Sequence, residues 1–179
     1  MRKLIGSAVL VAALAAAPVL AAAQRRPAAR PAAGPAQRTS FGGQLDWGSD
    51  TDFGIGARVV FGLHSLFPTT PLDGIVSFDY FFPSKPVGTT SLTYWEINGN
   101  VAYRIPHVRG SLAPYVGGGL NIAHASATAG TVTVSDTKAG LNVLGGTTFK
   151  VKGTVIPFAE ARGEIGGGKT FILTGGIRF

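Results

Sequence analysis

From Phe41 onward, apolar and polar residues alternate in short stretches separated by clusters of Gly, Pro, Ser, Thr and Asp. Successive side chains of a strand point to opposite faces, so a period of two predicts β-strands, and no helix of useful length is readable. Eight strands are predicted, over residues 41–48, 53–63, 74–82, 92–104, 113–124, 139–150, 154–165 and 170–179. In the first, Phe41, Leu45 and Trp47 oppose Gln44 and Asp46; in the second, Phe53, Ile55, Ala57, Val59, Phe61 and Leu63 oppose Arg58. Val76, Phe78, Tyr80 and Phe82 oppose Ser77 and Asp79 in the third, and Trp95, Ile97, Val101 and Tyr103 oppose Glu96, Asn98, Asn100 and Arg104 in the fourth. Val116, Leu120 and Ile122 then oppose Asn121, Leu141, Val143 and Phe149 oppose Asn142 and Thr148, and Val155, Ala159, Ala161 and Ile165 oppose Glu160, Arg162 and Glu164. The last strand sets Phe171, Leu173, Gly175, Ile177 and Phe179 against Ile172, Thr174, Gly176 and Arg178.

Alternation alone fits a soluble barrel with an apolar interior as well as a membrane barrel with an apolar exterior. The polar face separates the two. It carries few charges, of mixed sign, among Asn, Ser, Thr and Gly, where a solvated face would be rich in Lys and Glu. Such residues suit a narrow lumen in which Asp46, Asp79, Glu96, Glu160 and Glu164 pair with Arg58, Arg104, Arg162 and Arg178, because buried charges require partners. The apolar face then meets lipid, and the sheet must close, since an open edge in hydrocarbon leaves backbone groups unpaired at several kcal/mol each. Aromatics gather near the strand ends, Trp47, Phe53, Phe82, Trp95 and Phe171 at one rim and Phe41, Tyr103, Phe149 and Phe179 at the other, as interfacial girdles do. The predicted fold is all-β: an eight-stranded antiparallel up-and-down transmembrane β-barrel over residues 41–179.

The N-terminus differs in texture. Met1-Arg2-Lys3-Leu4, the apolar run Ile5 to Leu20 and the small residues Ala21-Ala22-Ala23 have the charged, hydrophobic and cleavable parts of a secretory signal peptide, predicted over residues 1–23 with cleavage near Ala23. Residues 24–40 are rich in Ala, Pro and Arg and read as an extended linker, a solvated spacer whose arginines can make weak contacts with periplasmic envelope material.

Charge and composition narrow the chemistry. The formal net charge is +7, but the excess lies in the leader; from Phe41 onward ten Lys or Arg face nine Asp or Glu, so no basic footprint for nucleic acid is expected. There is no cysteine, which removes disulfides, thiol nucleophiles and thiolate metal sites. His64 and His107 fall in predicted turns without metal-ligand spacing, and the glycine triplets 117–119 and 166–168 lack the strand-to-helix setting of a phosphate cradle. No metal or other cofactor is predicted.

The segments Pro114-Tyr115-Val116-Gly117-Gly118-Gly119-Leu120-Asn121, Pro157-Phe158-Ala159-Glu160-Ala161-Arg162 and Gly175-Gly176-Ile177-Arg178-Phe179 resemble the outer-membrane β-barrel family that includes the OmpA- and OmpX-type barrels. The resemblance covers residues 41–179. It implies an outer-membrane location surrounded by lipid, a periplasmic N-terminus, and extracellular loops near residues 49–52, 83–91, 125–138 and 166–169. It also implies that the terminal row Phe171, Leu173, Ile177 and Phe179 is the signal read by the barrel-assembly machinery. One departure is the turn around 64–73, which is long for a periplasmic one.

An eight-stranded barrel has a lumen just wide enough for side chains, so a structural, adhesion or interaction role is expected rather than an open pore or an enzyme. Two other readings remain at this stage. A lipid-modifying barrel enzyme could use His124 and Ser126, which share a strand face, with Asp136 nearby; a soluble lipocalin-like periplasmic carrier would turn the apolar face inward.

Overall fold

A computed structural model describes residues 39–84, 91–166 and 170–179. The predicted signal peptide and nearly all of the linker lie outside these residues. Eight strands follow in order: β1 Ser40–Gly48, β2 Asp52–Gly62, β3 Leu72–Phe81, β4 Ser91–Arg104, β5 Leu112–Ala129, β6 Val132–Phe149, β7 Ile156–Ile165 and β8 Phe171–Arg178. Each pairs antiparallel with its neighbours in sequence, and β1 pairs with β8 to close the barrel. At the rim where closure ends, Phe41 N–H donates to Phe179 O at 3.0 Å and Phe179 N–H donates to Phe41 O at 2.9 Å. No edge is therefore left within the barrel wall, the condition that hydrocarbon imposes on a sheet.

The period of two sets the two surfaces. Phe78, Leu141 and Leu173 point outward at 47, 56 and 46% exposure, while Asp79, Glu160 and Arg162 point inward at 0, 4 and 0%. The apolar stripe thus covers the outside and the ionised groups line the lumen, which excludes the carrier architecture, whose greasy cavity would face inward. The aromatics of the loop-side rim pack on one another: Phe53 stacks on Phe82 at 6.3 Å, Tyr80 meets Phe82 edge-on at 5.2 Å and Phe78 lies 6.1 Å from Trp95.

The lumen is solid. Besides its polar groups it holds Val60, Ile75, Phe81, Ala102, Leu144, Phe158 and Ile172, all buried. Glycine makes the room for such bulk: a Cβ on Gly176 would strike the Phe158 ring and the Gly43 carbonyl, and one on Gly146 would strike Tyr115. Small residues opposite large ones fit side chains into a barrel of this diameter.

The strands are unequal in length, and here the structure differs from the sequence expectation. Residues 125–138, read as a Ser/Thr-rich loop, continue β5 and β6 as a hairpin, so each of these strands has 18 residues against 8 in β8. Ladder pairs run from Leu112↔Phe149 to Ala129↔Val132. β4 follows this rise on one side, Ser91 pairing with Thr128. On the other side β7 pairs with β6 only from Leu141 downward, so among the described residues Val132–Gly140 pair with β5 alone. The extension was hidden because it stands beyond the lipid: without a buried face, alternating Val, Thr, Ser and Ala carry no hydrophobic contrast.

Candidate functional site

Two polar clusters occupy the lumen. In the first, Arg58 on β2 and Glu160 on β7 meet fork to fork, Nη2 donating to Oε1 at 2.8 Å and Nη1 to Oε2 at 3.1 Å. The Tyr115 hydroxyl donates to Glu160 Oε2 at 2.9 Å, and the Arg58 guanidinium lies 4.3 Å from the centroid of the Phe158 ring. A bidentate pair with a third donor and an aromatic face satisfies most of what desolvation takes from two ions. A small cavity of about 40 Å³ adjoins it, with Arg58, Asp73, Tyr115 and Arg178 in its wall.

The second cluster centres on Arg162. Its Nη2 donates to Asp79 at 3.2 Å and to Glu96 at 3.1 Å, and its Nε donates to Glu164 at 3.0 Å. Asp79 also accepts from Gln44 at 2.7 Å, Asn98 at 2.9 Å and Ser77 at 3.0 Å. Glu96 accepts from the Tyr94 hydroxyl at 2.7 Å, and Asp46 accepts from Thr174 at 2.6 Å and Gln44 at 3.2 Å. Asn142 extends the web, donating to Asn98 at 2.8 Å and Asn100 at 3.0 Å. Strands on every side of the barrel contribute, so the web cross-braces the wall rather than presenting a reactive group to a pocket.

Seven of the nine charges expected in the lumen meet in these clusters: Arg58 and Glu160 in one, and Asp46, Asp79, Glu96, Arg162 and Glu164 in the other. Arg104 does not join them, and this corrects the sequence expectation. It sits at the last residue of β4, its side chain 57% exposed, and pairs with Asp73 at 3.1 Å on the rim, where solvent screens the contact. Arg178 is half-buried, donating to the Ser40 hydroxyl at 3.4 Å with its guanidinium 6.0 Å from the Phe158 ring. Sequence reading missed Gln44, Tyr94, Tyr115 and Thr174 as network members. Strand parity marks each as inward, but a tyrosine in such a strand reads as lipid-facing until its hydroxyl finds a carboxylate.

The terminal row Phe171, Leu173, Ile177 and Phe179 faces outward, 46, 46, 47 and 65% exposed. The nucleophile candidates do not assemble. His124 stacks on Trp95 at 5.1 Å and its Nδ1 lies 2.8 Å from the Thr137 hydroxyl. Ser126 is opposite Ser135, on the same face as His124, whereas Asp136 is opposite Ala125 and so points to the other face of the hairpin. The carboxylate a base would need for orientation is instead 3.3 Å from Lys138. Among the described residues no group of three His, Cys, Asp or Glu is placed to hold a metal ion.

Solved structures of similar shape include several bacterial barrels. The N-terminal β-barrel domain of Pseudomonas aeruginosa OprF is 14% identical with a TM-score of 0.60, covering 80% of this chain and 98% of that one. Neisserial surface protein A is 20% identical with a TM-score of 0.57, covering 78% and 94%. A major outer membrane protein from Thermus thermophilus is 14% identical with a TM-score of 0.51, covering 79% and 99%. At such identities the likeness is one of fold. No curated protein matches the chain in sequence. Residues 7–165 match the family described as the outer membrane protein beta-barrel domain. With closed eight-stranded topology, an apolar outer face and that match together, the chain belongs to the outer membrane β-barrel family and resides in the outer membrane.

Proposed function

We propose that this protein is an interaction protein of the cell surface, a sealed barrel that displays a protruding β-sheet, and that it has no catalytic role. The observation that carries the reading is the flank of β6 from Val132 to Lys138, which among the described residues pairs with β5 alone and is raised above the ends of β7 and β8. An edge strand offers a row of N–H and C=O groups to an extended segment of another chain, which can add to the sheet with side-chain pockets supplying selectivity. Unguarded edges aggregate, and the exposed Asp136–Lys138 pair in the middle of this one limits indiscriminate pairing. The braced lumen supports a framework role for the barrel itself, with the chain-end rim towards the periplasm. The outward row of β8 is what we expect the assembly machinery to engage during insertion.

The test is a photo-crosslinking amino acid at position 134, compared in whole cells with the same probe at lipid-facing position 143. Protein adducts at 134 that disappear on Ser135→Pro, with heat-modifiable gel migration retained, are expected. Absence of any protein adduct at 134 would overturn the reading.

A further inference from the structure

The rim that holds both chain ends carries a feature the surface-sheet reading does not use. Turns 105–111 and 150–155 lie side by side there because β5 and β6 pair Leu112 with Phe149. Lys150 N–H donates to Ser111 O at 2.7 Å and Lys150 Nζ donates to Gly110 O at 3.5 Å, tying one turn to the other. Arg109, Lys150 and Lys152 are all exposed on this pair of turns, and neither turn contains an acid. Among the described residues the acid side chain at this rim is Asp73, already engaged by Arg104 at 3.1 Å.

Lys150 borders an open cleft on the same rim whose floor is partly apolar. Pro71, Ile105, Val108 and Leu112 line it, with Arg104 and Lys150 in its sides. Ile105, Val108 and Leu112 remain 40, 37 and 43% exposed. Leu112 is also level with the outward-facing end of β6, so the floor is continuous with the lipid-facing band. Apolar area next to turns that carry three exposed cations and no acid, at the end of the lipid-facing band, matches a molecule with a hydrocarbon end and a negative end. A free anion would use the cations and leave the floor bare.

We infer that this cleft binds an anionic glycerophospholipid of the periplasmic leaflet. Its phosphate lies among Arg109, Lys150 and Lys152, and its glycerol and first acyl carbons lie on Ile105, Val108 and Leu112. A zwitterionic headgroup of the same size brings its own ammonium and binds less well, because that charge meets three others of like sign.

The experiment is native mass spectrometry of the folded protein released from membranes containing phosphatidylglycerol and phosphatidylethanolamine in equal amounts with the same acyl chains. Retention of phosphatidylglycerol on the order of tenfold above phosphatidylethanolamine is expected, about 1.4 kcal/mol. Lys150 also ties the two turns, so the test variant is Arg109→Gln with Lys152→Gln, which leaves that tie in place; it should lose most of the preference while keeping heat-modifiable migration. Ile105→Ser with Val108→Ser should lower retention of both lipids. Equal retention of the two lipids by the wild type, or an unchanged preference in the double glutamine variant, would overturn the assignment. So would displacement of the lipid by millimolar glycerol 3-phosphate, which would mark a site for free phosphate esters.

Discussion

Arg58 and Glu160, 102 residues apart in the chain, meet fork to fork across the lumen at 2.8 and 3.1 Å. Both are buried, so removing one member strands the other charge in a medium that cannot solvate it. Glu160→Ala should therefore cost about 3–5 kcal/mol of stability, as should Arg58→Ala. The double replacement Arg58→Met with Glu160→Leu should cost less than either, since it removes both desolvation penalties. Urea unfolding in lipid vesicles, followed by tryptophan fluorescence and gel migration, measures the cycle.

Arg162 is the hub of the other cluster, with Asp79, Glu96 and Glu164 each within 3.2 Å of its guanidinium nitrogens. Replacing it by Met leaves three carboxylates facing one another without a cation. We expect Arg162→Met to be more damaging than Arg58→Ala, and Asp79→Asn in the same chain to recover part of the loss. If Arg162→Met alone unfolds at the wild-type urea concentration, the cluster contributes nothing to holding the wall together.

The outward face predicts opposite outcomes for one substitution at two heights. Leu120 stands on β5 midway between Val116, opposite Tyr103, and His124, opposite Trp95, so it lies near the middle of the span. Leu120→Arg should cost about 2–4 kcal/mol, the penalty for a charge at the bilayer midplane. Val134, 67% exposed on the raised hairpin, should accept Arg within about 0.5 kcal/mol. Folding equilibria of the two variants in the same vesicles decide the matter, and equal costs would contradict the placement of the span.

A side chain at Gly176 has no room beside the Phe158 ring and the Gly43 carbonyl. Gly176→Val should lower the yield of heat-modifiable barrel sharply. Phe158→Ala in the same chain should restore only part of it, because the backbone carbonyl stays. Full recovery would mean the ring was the whole obstacle.

The barrel was legible in the sequence because lipid and lumen impose opposite demands on alternate residues, and Phe78 beside Asp79 states that contrast in one step. The inward charges could be named for the same reason. Their partners could not: parity says that Arg104 and Arg162 share a side, but only strand height tells that one reaches the rim and the other the centre. The hairpin beyond His124 escaped because its two faces meet the same solvent, so Val132 and Thr133 sit in like surroundings and no pattern is required of them.

Because, among the described residues, β6 from Val132 to Lys138 is held on one flank only, the hairpin is a cantilever bolted to a rigid drum. Amides of Val132 to Lys138 directed away from β5 should exchange with solvent rapidly, while those of Val143 and Gly145, a few residues below in the same strand, stay locked by β7. A load applied to the tip would then bend the free blade and leave the drum unstrained, so a partner could be gripped and released without opening the wall that keeps the envelope tight.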